Sequence, residues 1–175
     1  GKQNTLYSNL IYQGIIGNTN HTFKTGASYM LDDYNERYRD TTFLRTESVP
    51  GLFFEYTYAF LEKFTFVAGG RTDFHNLYGT QWTPRVHVRY ALSSNTTLRA
   101  SAGRGFRVPN PLAENYGNLV SGRVVRFMEA FHPEISWNRG LSFTQEFNTG
   151  GMKGNFILDF FRTTFENQLV ADFGH

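Results

Sequence analysis

The stretch RASAGRGFRVPNPLAEN, residues 99–115, sets Arg104 and Arg107 on either side of Gly105 and follows them with two prolines and two asparagines. Guanidinium groups in such a setting suit phosphates and carboxylates, which they grip through paired N–H donors. Gly103 and Gly105 also make half of a dinucleotide fingerprint. The third glycine is missing and no βαβ unit follows, so nucleotide binding has no support. The five histidines, at 21, 75, 87, 132 and 175, lack metal-ligand spacing. His75 and His87 could approach across a hairpin, but the sequence predicts no metal there. Asp73 and His75 share one strand face and are the single Asp/His pairing that a hydrolase could use. An ion pair, or contact with a second body, is the plainer role for Asp73. Asp32, Asp33, Glu36 and Asp40 gather with Arg37 and Arg39 in a polar segment. The composition could serve calcium, and a self-paired, solvated loop is the expectation. Asn20-His-Thr22 and Asn95-Thr-Thr97 are sequons whose asparagines turn chemistry explains.

The elements that must position these groups are strands. In QWTPRVHVRYAL, 81–92, the residues Trp82, Pro84, Val86, Val88 and Tyr90 alternate with Thr83, Arg85, His87 and Arg89. Leu98, Ala100 and Ala102 alternate with Arg99, Ser101 and Gly103 over 97–103, and the turn cluster SSNT (93–96) joins the two segments as a hairpin. Pro84 has no ladder donor and needs a bulge or an edge-like position. Six further strands are predicted over 6–16, 21–31, 52–60, 63–76, 135–148 and 155–170. Short connections (GNTN at 17–20, LE at 61–62, SSNT, and TGGMKG at 149–154) alternate with 32–48, 77–80 and 106–134. Short turns at one end and mostly long loops at the other are the asymmetry of an outer-membrane barrel.

Composition sharpens that reading. Of 175 residues 17% are aromatic, yet mean hydropathy is −0.42, which suits strands with one apolar and one wet face. Leu52, Phe54, Tyr56, Tyr58 and Phe60 form one apolar stripe; Phe64, Phe66 and Ala68, and Phe156, Leu158 and Phe160, form others. Trp82, Trp137, Tyr90 and Phe60 fall near strand ends, where interfacial girdles lie. A soluble sandwich could instead bury the same stripes. The opposite faces carry Lys24, Gly26 and Ser28; Glu55, Thr57 and Ala59; Arg71 and Asp73; and Asn138, Ser142 and Thr144. Such small polar side chains would leave gaps in a narrow barrel and fit a wide one around a separate plug. No apolar run is long enough for a membrane helix, and GKQNTLYSN lacks a signal-peptide core. There is no cysteine for a disulfide or thiolate site. A net charge of +2 gives no basic field for nucleic acid.

The segments TLRASAGRGFRVPNPLAENYG, HPEISWNRGLSFTQEF and GNFILDFFRTTFENQLV, in that order and spacing, resemble the TonB-dependent outer-membrane receptors. Upstream, GGRTDFHNLYG followed by TPRVHVRYAL is similar to that family's preceding strands, with Arg-x-Asp on one strand and Pro-Arg on the next. The resemblance covers most of the chain. It implies an all-β, antiparallel transmembrane barrel wall, residues 1–175 forming about eight strands of a barrel of about 22, in the bacterial outer membrane. No plug domain or TonB box is recognisable, and the chain starts and stops in strand-like sequence, so it is expected to be cut from something longer.

The resemblance implies a transporter rather than an enzyme, with no cofactor of its own, for a scarce nutrient chelate: ferric siderophore or cobalamin. Its partners would be its own plug, TonB through that plug, outer-membrane lipid or lipopolysaccharide, and the chelate. Gly103 and Gly105 are expected to bend the chain at the rim, and Pro109 and Pro111 to stop the ladder. Ligand contacts are expected from the rim and long loop: Arg104, Arg107, Asn110, Glu114, Asn115, Tyr116, Arg123 and Arg126, with a short helix over 122–130. Two alternatives stay open: a small closed eight-stranded structural barrel, and an outer-membrane barrel enzyme.

Overall fold

The computed structural model describes residues 1–38, 41–109 and 132–167. Eight strands form one sheet: β1 Lys2–Ile16, β2 Asn18–Tyr38, β3 Thr41–Phe60, β4 Phe64–His75, β5 Gly79–Ser93, β6 Thr96–Arg107, β7 Glu134–Thr149 and β8 Met152–Asn167. Each pairs antiparallel with its neighbours in sequence, in the order β1-β2-β3-β4-β5-β6-β7-β8. Among the described residues nothing pairs β8 with β1, so the sheet is an open wall. That corrects the small closed barrel, which needs the last ladder.

The connections after β1, β3, β5 and β7 lie at one end, called the short-turn end below. The other connections lie opposite, grouped as the sequence predicts, although only the one between β6 and β7 is long. At the β7–β8 turn Gly150 and Gly151 have φ of 61° and 83°. Two consecutive positive values are what a two-residue hairpin with native twist demands, and glycine meets them without strain.

Two expectations fail. The predicted loop 32–48 is ladder for nearly its whole length, with Asp32 opposite Glu47, Tyr34 opposite Arg45 and Arg37 opposite Thr42. Its polar composition hid it. Beyond the membrane a strand needs no apolar face, so the period-two signal fades while the hydrogen bonds continue. Nor do Gly103 and Gly105 bend the chain. Neither has positive φ, and β6 runs straight through them, pairing Gly103 with Asn138, Gly105 with Ser136 and Arg107 with Glu134.

The register confirms both faces. One row across the sheet is Tyr56, Ala68, Val86 and Ala102; the next is Thr57, Val67, His87, Ser101 and Gly140. Apolar side chains stay uncovered even on interior strands: Leu141 is 60% exposed and Leu98 40%. Among the described residues Val49 is the only buried hydrophobic, whereas Ser28, Asp32, Glu47, Asp73, His75, Gln81 and Glu134 are buried polar groups. This inverts a soluble sandwich and matches a wall with lipid on one face. Pro84 sits where the β5–β6 ladder stops, one residue beyond the last pair, Arg85 with Gly103.

Candidate functional site

The polar face is densest away from the short turns, where β1–β5 meet. The Arg71 guanidinium donates through Nε to both Asp73 oxygens at 2.8 Å and through Nη2 to Asp73 Oδ1 at 2.5 Å. Nη2 also donates to Ser28 Oγ at 2.7 Å. Alternation puts Arg71 and Asp73 on one face two residues apart, so the Arg-x-Asp spacing itself makes this fork. Gly51 lies opposite Asp73 and leaves room for it: a Cβ there would stand 2.4 Å from Asp73 Oδ1 and 2.6 Å from Arg71 Nη2.

Farther out, Glu47 is held from two sides. Arg45 Nε is 3.0 Å from Oε1, and His75 Nε2 is 3.6 Å from Oε2. His75 Nδ1 accepts from the Leu77 N–H at 3.1 Å, so the ring proton belongs on Nε2, facing Glu47. Arg45 also lies over the Tyr34 ring, 4.5 Å from its centroid. Burial, and then the Glu47 and Asp32 carboxylates, push the Tyr34 phenol above its ordinary value. Asp32 accepts from the Thr5 hydroxyl. Asn76 locks the two hairpins: its amide donates to Thr46 O at 3.0 Å and accepts from Ser48 N at 2.9 Å.

The two predicted arginines do not form one clamp. Arg107 is on the polar face, paired with Glu134 across β6–β7 at 2.6 and 2.9 Å. Arg104 belongs to the opposite, apolar parity, and its guanidinium donates to the Trp82 carbonyl. It bridges the gap that Pro84 opens in the ladder, beside a cleft of about 490 Å³ lined by Phe53, Arg71, Thr83, Arg85 and Phe106. Asn110, Glu114, Asn115, Tyr116, Arg123 and Arg126 lie outside the described residues, as do Pro111 and the predicted helix over 122–130.

Other candidate groups are not brought together among the described residues, and Arg39 and Asp40 of the acidic cluster lie outside them. Asp73 is committed to Arg71, and His75 turns its Nε2 toward Glu47 at 3.6 Å, so they make no dyad. His75 pairs with Gly79 and His87 with Val67, at separate levels of the β4–β5 ladder. Asp33 turns from Asp32 to the other face and accepts from Thr46 Oγ1 at 2.7 Å. Among the described residues no three acidic or histidine groups converge as a metal site. Sequence reasoning missed Arg45 and Glu47, although Arg45-x-Glu47 repeats the spacing of Arg71-x-Asp73 and could have revealed them.

The whole chain, residues 1–175, matches the family described as TonB dependent receptor-like, beta-barrel. The chain belongs to that family. It is 29% identical over 100 residues to the iron-regulated outer membrane virulence protein of Vibrio cholerae, a stretch covering 56% of this chain and 15% of that protein. To the ferric enterobactin receptor of Pseudomonas aeruginosa it is 25% identical over 114 residues, 59% of this chain and 15% of that one. The fold agrees. A variant of the ferric enterobactin receptor PfeA from Pseudomonas aeruginosa superposes with a TM-score of 0.71 at 16% identity, covering 95% of this chain and 27% of that one. The siderophore receptor PirA from the same organism gives 0.68 at 22% identity, covering 97% and 32%. The matched stretches are thus a small part of each relative. This is a section of an outer-membrane receptor-type barrel, with its apolar face toward lipid and its polar face toward the lumen.

The lumen face has a second charged patch, nearer the short turns. Arg89 and Arg99 stand directly opposite one another. Arg89 donates to Glu62 O at 2.8 Å and Arg99 to Thr144 Oγ1 at 3.3 Å. Among the described residues neither has a carboxylate at ion-pair distance. His87, Ser101, Asp159 and Phe161 line a cavity of about 340 Å³ with them.

Proposed function

We propose that these residues form about eight strands of the wall of a receptor that carries a ferric siderophore across the outer membrane. The observation that carries this reading is the match of the whole chain to the receptor-barrel family. The iron receptors among its relatives favour the siderophore branch over cobalamin. On this reading the plug and the TonB box belong to the rest of the receptor, and energy coupling runs through them. The wall encloses the plug, and the long connections present recognition residues to the outside.

Recognition is assigned to the β6–β7 connection, with Asn110, Glu114, Asn115 and Tyr116 as polar and aromatic contacts and Arg123 and Arg126 as the cations for an anionic chelate. Arg107 borders them, already paired with Glu134, and Arg104 supports the wall behind. The test uses the full receptor in outer-membrane vesicles, titrated with ferric enterobactin and with cyanocobalamin. The wild type should bind the ferric chelate, and Arg123→Ala with Arg126→Ala should weaken it about tenfold or more. Binding of cyanocobalamin alone would overturn the iron reading. Unchanged affinity in the double variant would move recognition elsewhere.

A further inference from the structure

The lumen face of β5 and β6 carries a line of arginines from the outer end inward. Arg107 ends β6, Arg85 stands farther in on β5, and Arg89 and Arg99 lie nearest the short turns. Alternation keeps all four on one face. Arg107 and Arg85 each meet a carboxylate, Glu134 and Glu55, at 2.6 Å. Arg89 and Arg99 oppose one another directly, where like charges repel. Their strands are interior, with β4 and β7 in place on either side. Even so, a carbonyl and a hydroxyl are the acceptors they find. Among the described residues no carboxylate lies at ion-pair distance from either.

Room is the second observation. Beside this line the lumen face carries Gly69, Gly103, Ser101, Gly140 and Ser142. The ring of Phe161 lies across Gly140: a Cβ there would stand 2.6 Å from the ring and 3.0 Å from Ser101 Oγ. Arg89, Arg99, His87 and Phe161 bound the hollow of about 340 Å³, which is the size of a small-molecule pocket. Two guanidinium groups and a ring face suit an anion with flat aromatic parts. Arg99 is four residues beyond Asn95 in the β5–β6 turn. At about 3.3 Å per residue and a tilt of about 45° the pair lies about 9 Å inside the short-turn end, which faces the periplasm in such barrels.

We propose that Arg89 and Arg99 hold an anionic, aryl-bearing ferric chelate on its way through the lumen, as the innermost station of the arginine line on β5 and β6. The two guanidinium groups take one anionic face of the chelate, and its charge removes their mutual repulsion. Arg107 and Arg85 already face carboxylates, so the attraction is strongest at the inner pair. The proposal rests on the ferric-chelate reading and adds to it a holding site inside the wall, away from the rim.

The test uses the full receptor in living cells and ferric enterobactin bearing a bromoacetamide group. Ser142 is directly opposite Arg99, and Ser142→Cys places a thiol beside the pair. Its alkylation is counted by peptide mass spectrometry against the receptor that keeps Ser142. During uptake the Ser142→Cys receptor should be alkylated. Adding Arg89→Gln and Arg99→Gln should lower alkylation on the order of tenfold, and Arg89→Lys with Arg99→Lys should keep part of it. Affinity for ferric enterobactin at the outer face should stay within about twofold, since the rim is distant. Each single Gln change should give an intermediate loss, which decides if the double variant fails to assemble. Iron uptake without alkylation above background overturns the site, as does equal alkylation in the Gln variants. A small neutral bromoacetamide that reaches Ser142→Cys in resting cells only after the Gln changes would show the arginines holding an acidic protein surface, and also overturns it. A wild type that binds no ferric chelate would instead overturn the reading beneath.

Discussion

Far from the short turns, the lumen face sets Arg71 against Asp73 and Arg45 against Glu47. Near them it sets Arg89 against Arg99, with a carbonyl and a hydroxyl as their partners. In the first region each arginine meets a buried carboxylate. The second leaves positive charge facing the lumen. The difference separates two tasks. Charges that satisfy each other hold the wall's own shape, because burying either one alone is costly. Charges left uncompensated contribute little to that shape and suit an acidic surface brought by something else in the lumen.

Mutations can break this comparison. Asp73→Ala removes the acceptor of the Arg71 fork. The loss should be about 2–3 kcal/mol in the unfolding of the full receptor, below the figure for a fully buried pair because Arg71 is 35% exposed. Gly51→Ala drives a methyl into Asp73 and Arg71 and should cost about 1–3 kcal/mol by overpacking, read from the denaturant midpoint. At the other region, Arg89→Gln should change stability by about 0.5 kcal/mol or less, or raise it slightly by relieving repulsion. A loss there matching that of Asp73→Ala would show both regions to be structural and end the distinction.

Much of the wall was legible because its signals are local. Strict alternation over 81–92 and 97–103 fixed the faces, and the register keeps every predicted apolar residue of those strands on one side. Arg71-x-Asp73 announced its fork for the same reason. What escaped is what alternation does not encode. The polar ladder between β2 and β3 carries no apolar stripe, so it resembled a loop. Glycines at 103 and 105 suggested a bend, where the wall instead keeps an unbroken β6–β7 ladder. The pairing of Arg107 with Glu134 depends on register across a long connection. The separation of Arg104 from Arg107 follows from parity alone and was available in the sequence: three residues apart on a strand means opposite faces.

The central claim is that the two faces see lipid and lumen. Ala100 and Ser101 are adjacent on β6 and point oppositely. Ala100 is five residues beyond Asn95 in the β5–β6 turn, about 12 Å along the membrane normal and near mid-depth of the apolar band. Refolding of the full receptor into lipid vesicles should show Ala100→Arg destabilised by about 2–4 kcal/mol, and Ser101→Arg by about 1 kcal/mol or less. Equal penalties at the two positions, or the larger one at Ser101, would contradict the account.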